Sequence, residues 1–239
     1  MTNEDELIEK VVDFVEQSIF QPHIKASLEK HTKLRSYKIN PIIVKYLSKV
    51  LEDEYTPIGV AKALYFPRVL GTSINTSFGT QVQNMFVELG IAQGSMIKGM
   101  DIEFIDRHDN RKKWCQLKAG PNTINSEDVK PILSKFEGTI RLAKTNNAMR
   151  GIRNSDFIVG VLYGTSNELS QHYRKINDVY PVYIGNEFWS RITGYENIYS
   201  KLEDEMQAMI ESLNTHDFIN QGCNTLAEEI SRSSIFDFR

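Results

Sequence analysis

The stretch that most constrains this chain runs from Gly99 to Asn125, GMDIEFIDRHDNRKKWCQLKAGPNTIN. From Met100 to Ile105 apolar and acidic residues alternate, and side chains along a strand point to alternate faces. Ile102 and Phe104 therefore face one side of a strand, and Asp101 and Glu103 the other. His108, Asp109 and Asn110 are turn-forming residues. From Lys113 the alternation resumes, with Cys115 and Leu117 on one side and Trp114, Gln116 and Lys118 on the other. A turn centred between His108 and Asp109 sets Asp101 opposite Gln116, with Cβ atoms roughly 5 Å apart and Lys118 one step along the same face. One cation could touch several of these groups.

Hydrolysis of a phosphodiester calls for a hard cation to neutralise developing charge, oxygen ligands to hold it and a positioned water. Asp101, Gln116 and Lys118 are residue types that supply those parts. A polar face on a hairpin is ordinarily a solvated sheet face, so the three residues alone do not decide the matter. The neighbouring strings do more. LKAGPNTIN follows the second strand, FIVGVLYGTSNELSQHYR begins at Phe157 and VYIGNEFWSRI at Val182. With the order Asp, then Gln-x-Lys, these strings resemble type II restriction endonucleases of the PD-(D/E)XK superfamily, in particular those that cut interrupted GGNCC-like palindromes. The resemblance spans about Gly99 to Ile192.

That resemblance implies an α/β restriction-endonuclease-like core, a mixed central sheet flanked by helices. It also implies Mg2+ as cofactor, held by Asp101 and Gln116, with Lys118 orienting the attacking water and stabilising charge on the phosphate. The substrate would be duplex DNA with a short palindromic site, the products would carry 5′-phosphates, and the enzyme would be a homodimer paired in its host with a cognate DNA methyltransferase. The sequence departs from the family pattern at Gln116, where an acidic residue is usual. An amide oxygen ligates magnesium but brings no charge, and Glu103 on the same face or Glu88 on the preceding helix is expected to restore it. The sequence does not choose between them. A DNA-binding protein with a weakened metal site, or a repair or recombination nuclease on the same core, are the alternatives.

Asn122, Thr123 and Asn125 follow the second strand, where short amide and hydroxyl groups can reach base edges or phosphates, or else form an ordinary turn and helix cap. Lys144, Arg150 and Arg153, with Arg141, make a basic group close in sequence to the site and are expected to contact phosphates. A second basic segment holds Lys25, Lys30, Lys33, Arg35, Lys38, Lys45 and Lys49 against Glu29 alone. It reads equally as a phosphate-facing surface and as a solvated helix face.

With 239 residues, 41% hydrophobic and 25% charged, the chain suits a globular protein with one large core, or one core plus an appendage. No apolar run approaches the roughly 20 residues of a membrane helix, and MTNEDELIEK lacks the basic-then-apolar order of a secretory signal. A cytoplasmic protein without membrane contact is expected. Cys115 and Cys223 show neither disulfide nor zinc spacing and read as reduced thiols. Net charge −3 argues mildly against indiscriminate nucleic-acid binding. No phosphate-loop string accompanies Gly160 and Gly164, so ATP is not expected.

Asn3 and Glu6 form a capping-box pattern that opens a helix over 3–20, which Pro22 should end. A second amphipathic stretch covers Ile42 to Leu51, and Thr56-Pro57 opens a third helix, with Pro67 and Gly71 closing the region. Residues 1–72 thus read as an N-terminal helical region, a dimerisation or DNA-contacting arm, and residues 73–239 as the catalytic domain with C-terminal helices. Ser77 is expected to cap a helix running through Leu89 and stopping at Gly90. Asn125 or Ser126 caps a long helix with the apolar stripe Val129, Ile132, Leu133, Phe136, Ile140 and Ala143. Phe157 to Tyr163 and Val179 to Ile184 read as buried strands, and Asn186 to Ile192 and Tyr195 to Leu213 as terminal helices.

Overall fold

The structure, a computed structural model, describes residues 3–145, 151–213 and 215–238. Helix α1 spans Glu4–Val15 and passes through a π-helical turn, Glu16–Phe20, into α2, Gln21–Glu29. Pro22 therefore does not end the first helix. A proline lacks the N–H of the i→i−4 ladder and crowds the preceding turn, and the widened π turn removes that conflict while the chain stays helical. Helix α3, Pro41–Glu52, starts where the Asn40 side-chain oxygen accepts hydrogen bonds from the N–H groups of Ile42 and Ile43, at 3.1 and 3.3 Å. Helix α4, Pro57–Pro67, is capped by Thr56, whose hydroxyl accepts from Gly59 N–H at 3.2 Å. Pro67 and Gly71 do not close this region either. A second π-helical stretch, Arg68–Ser73, leads straight into α5, Ile74–Glu88, so Ser77 lies inside a helix rather than capping one. Gly90, with φ +68°, supplies the expected stop.

The strands follow: β1 Gln93–Gly94, β2 Ile102–Ile105 and β3 Lys112–Lys118. Next come α6 Ser126–Thr145, β4 Phe157–Val161, α7 Gln171–Asn177, β5 Val182–Ile184, α8 Asn186–Thr193, α9 Ile198–Ser212 and α10 His216–Ser231. The five strands form one mixed sheet in the order β1-β2-β3-β4-β5, antiparallel up to β3 and parallel from β3 to β5. Parallel neighbours need a crossover, and α6 and α7 provide the two. The β2–β3 register pairs Ile102 with Cys115 and Glu103 with Trp114, as the turn chemistry requires. Every residue of β4 is buried, as expected for a strand covered on both faces.

The chain divides into two compact units, one of residues 1–12 and 79–207, the other of residues 13–78 and 208–239. In the first, one sheet face carries Trp114, Phe157, Val159, Val161, Val182 and Ile184, which pack with Ile132, Phe136 and Ile140 of α6 and Tyr173 and Ile176 of α7. Trp114 stacks on Phe157 with ring centroids 5.2 Å apart. The other face brings Phe104 of β2 against Phe188 of α8, which also meets Phe86 of α5. A Cβ at Gly160 would lie 2.4 Å from the Phe188 ring and 2.9 Å from Cys115 Sγ, so only glycine lets these layers close.

In the second unit Val60, Ala61 and Tyr65 of α4 share a core with Val44 of α3 and with Cys223, Leu226 and Ile230 of α10. Gly222 makes room for the Tyr65 ring, and Gly59 for Ser48. The C-terminal helix α10 thus belongs with the helices of residues 13–78 rather than with the sheet, because its apolar stripe is covered by α4. Among the described residues no helix is long and apolar enough to cross a membrane.

Candidate active site

The hairpin opens at the start of β2 and the end of β3, and the candidate residues gather there. Asp101 N–H donates to Cys115 O at 2.9 Å, and its Oδ2 accepts from Leu117 N–H at 2.7 Å, so the carboxylate itself continues the β2–β3 ladder by one step. One oxygen is thereby fixed. Gln83 of α5 donates from its side-chain amide to Asp101 O at 3.1 Å, which holds the backbone from the other direction. Burial pushes the Asp101 carboxyl above its ordinary value, opposed by the Leu117 N–H and by the ammonium groups of Lys118 and Lys135.

Gln116 pairs with Val159 and Lys118 with Val161 across the parallel β3–β4 ladder, so strands on both sides fix these two positions. The buried Gln116 Oε1 has no hydrogen-bond partner. An orphaned buried carbonyl oxygen carries a desolvation cost that a ligand would remove. Beside Asp101 this is the donor set a hard divalent cation takes, one carboxylate and one neutral oxygen. Among the described residues no group of three His, Cys, Asp or Glu side chains could hold a metal, so the set depends on the amide.

The two carboxylates offered as replacements for charge are placed differently. Glu103 accepts from Ser95 Oγ at 2.7 Å and pairs with Lys112 Nζ at 2.6 Å. Burial works against its ionised form, but Lys112 and Ser95 outweigh it and hold the carboxyl below the ordinary value. Its charge is already neutralised. Glu88 is exposed at the end of α5, five residues beyond Gln83 and so roughly 140° around the helix from the side chain that reaches Asp101.

Among the residues expected to touch DNA, the Thr123 hydroxyl donates to Gly120 O at 2.9 Å and lies 2.9 Å from Tyr173 Oη, an internal loop clamp. Asn125 caps α6, its Oδ1 accepting from Glu127 N–H at 2.7 Å. Asn122 is exposed in the same loop, and Arg153 is exposed just before β4. Lys144 lies in the last turn of α6, where only the backbone is described, and Arg150 falls outside the described residues. In the basic segment of the helical unit, Lys45 lies over the Tyr55 ring at 5.1 Å and Lys49 donates to Asp53 O, so part of that charge has internal work.

Two residues that composition and pattern did not single out complete the picture. Lys135 of α6 lies along Gly99, two positions before Asp101. Lys113, fully buried at the turn end of the hairpin, donates to Asp109 Oδ2 at 2.6 Å and to Ser155 O at 3.0 Å. Around it Arg191 binds Asp106 at 2.9 Å and Arg111 binds Asp156 at 2.7 Å. A lysine on the apolar face of a strand was the available signal for this cluster.

A five-stranded mixed sheet with its crossover helices and hairpin defines the class, a restriction-endonuclease-like α/β nuclease fold. The model of one family, type II restriction endonuclease EcoO109I, matches residues 9–214, and the chain belongs to that family. It is therefore a restriction endonuclease acting on DNA. No curated protein matches the chain.

Proposed function

We propose that the protein cuts duplex DNA at a short palindromic sequence of the interrupted GGNCC-like kind in a magnesium-dependent reaction, with Asp101, Gln116 and Lys118 as its working residues. The carrying observation is the unpartnered Gln116 Oε1, buried at the hairpin end where Asp101 extends the ladder. Asp101 and Gln116 would hold the ion, which when bound supplies Lewis-acid stabilisation of the phosphate and a more acidic water. The Leu117 N–H keeps the Asp101 carboxylate in one orientation, so its remaining oxygen needs no reordering on binding. Lys118 orients the attacking water and offsets charge gathering on the phosphate oxygens. Direct attack by water forms a new P–O bond and breaks the P–O3′ bond, leaving a 5′-phosphate and a 3′-hydroxyl. Asn122, Arg153, Lys144 and Arg150 are proposed to contact the duplex, and a DNA methyltransferase of the host to protect its sites.

The test is a plasmid digest. With magnesium, discrete fragments with 5′-phosphate ends are expected, and with chelator no product. Uniform smearing at low enzyme would rule out sequence-specific cutting.

A palindrome presents the same base edges twice about a two-fold axis, so two identical subunits are its simplest reader. Helix α3 offers a surface for that pairing. Ile42, Tyr46 and Val50 are 81%, 67% and 61% exposed and recur at helical spacing, with Ile43 and Leu51 flanking them. Contiguous apolar surface of this kind marks an interaction site. Light scattering at micromolar concentration is expected to give a dimer, and Ile42→Glu combined with Tyr46→Glu a monomer. A wild-type monomer with and without cleavable DNA would overturn the homodimer.

A further inference from the structure

Lys135 is an exposed residue of the crossover helix between the second hairpin strand and β4, one residue before the core residue Phe136. Its aliphatic stem crosses the backbone of Gly99. A Cβ built there would lie 2.9 Å from Lys135 Cδ and 3.4 Å from Cε, and Gly99 also holds φ +93°. The positive φ is what calls for glycine, and the missing Cβ lets the lysine stem pass close to the chain that leads into Asp101 without having to shift. That chain is itself fixed, since Met100 N–H donates to Ile97 O at 3.0 Å and Met100 and Ile97 pack in the α6-facing core.

The stem is therefore guided, while the head acts on Asp101 through space without a direct contact. No hydrogen bond or ion pair reaches the Lys135 ammonium among the described residues. Glu103 is paired with Lys112, and Asp101, one oxygen of which accepts from Leu117 N–H, is shared electrostatically between Lys135 and Lys118. Asp101 thus faces two ammonium groups, Lys118 and Lys135, with a neutral amide at Gln116 where a second acid would stand. The residues at the open end of the hairpin sum to a positive charge, one carboxylate against two ammonium groups. Such a site lacks an anion, and a phosphodiester is the anion its substrate brings.

We infer that Lys135 is a substrate-binding residue whose ammonium contacts a DNA phosphate at the Asp101 centre, supplying positive charge to the backbone before any metal is bound. This rests on the nuclease reading of the same site.

Binding is the readout, because it needs neither metal nor turnover. A duplex carrying the cut site mapped by plasmid digestion is titrated with protein in EDTA across a series of salt concentrations, followed by fluorescence anisotropy. Each phosphate contact contributes about 0.9 to the slope of log affinity against log salt. Lys135→Gln is expected to weaken binding and reduce that slope by about one. Lys135→Arg restores the slope, and Lys130→Gln, an exposed lysine of the same helix, leaves it unchanged. Helical content by circular dichroism accompanies each variant, and a slope lost in Lys135→Gln but kept in Lys135→Arg is an effect no folding defect produces. A wild-type slope in Lys135→Gln would overturn the role of Lys135 alone. Absence of discrete plasmid fragments from the wild-type protein would overturn the nuclease reading, and this inference with it.

Discussion

Asp101→Ala and Lys118→Ala are each expected to lower the rate of DNA cleavage by at least about 10²-fold, the loss typical of removing one group that stabilises charge in the transition state. Duplex binding should survive in both. The Asp101 carboxylate continues the β2–β3 ladder, and its loss removes the negative ligand that Gln116 cannot replace. Lys118 ends β3 with its carbonyl accepting from Leu162 N–H at 3.1 Å, so its backbone is anchored independently of its ammonium. Truncating the side chain should therefore cost chemistry rather than structure. Gln116→Ala should also impair cutting, and Glu103→Ala should do so less, since Glu103 already neutralises Lys112. Gel assays of the purified variants decide this. Near-normal cutting by Asp101→Ala or Lys118→Ala would refute the site.

Lys113→Ala is expected to cost roughly 3–5 kcal/mol of stability, the range seen when one partner of a buried ion pair is deleted. Lys113 is wholly buried, and Asp106 and Asp156 beside it are buried too, with Lys113 Nζ 3.9 and 3.8 Å away. Arg191 retains one bond to Asp106 and Arg111 two to Asp156, but the centre of the cluster would hold carboxylates facing an empty space. Asp109 is 38% exposed and can turn to water, which favours the lower end of the range. Urea unfolding followed by tryptophan fluorescence measures the effect, since Trp114 and Trp189 both lie in the sheet unit. A stability change under about 1 kcal/mol would show that the cluster is not an interdependent network.

Much of this architecture was legible in the sequence where local rules and tertiary packing agree. The hairpin register followed from alternation and turn residues, because a one-residue slip would exchange its apolar and polar faces. The stripe of α6 and the buried run of β4 followed in the same way. Pro22, Pro67 and Ser77 were misleading because propensity ranks residues for a regular α-helix, and two π-helical turns let the chain pass them without ending. Helix α10 escaped notice because Gly222 interrupts its pattern, and that glycine makes sense only against Tyr65 of a distant helix. At the site, Asp101, Gln116 and Lys118 were readable as neighbours on one face. Lys135 was not, since in the sequence it is one more lysine on an amphipathic helix, and its place beside Asp101 depends on how that helix crosses Gly99. The commitment of Glu103 to Lys112 and Ser95 was equally invisible, because Ser95 comes beside Glu103 only through the pairing of β1 with β2.

Surface turns are usually where a chain best tolerates gained or lost residues, but the turn at His108–Asn110 is an exception. It fixes which residue of β2 stands across from which residue of β3. A single inserted or deleted residue would shift the β2–β3 pairing by one step, carrying Asp101 to the opposite side of the sheet from Gln116 and Lys118 while leaving all three residues unchanged. Over evolutionary time the length of this turn is therefore constrained as tightly as any side chain at the centre, and a chain could lose its chemistry through an indel far from every residue that performs it.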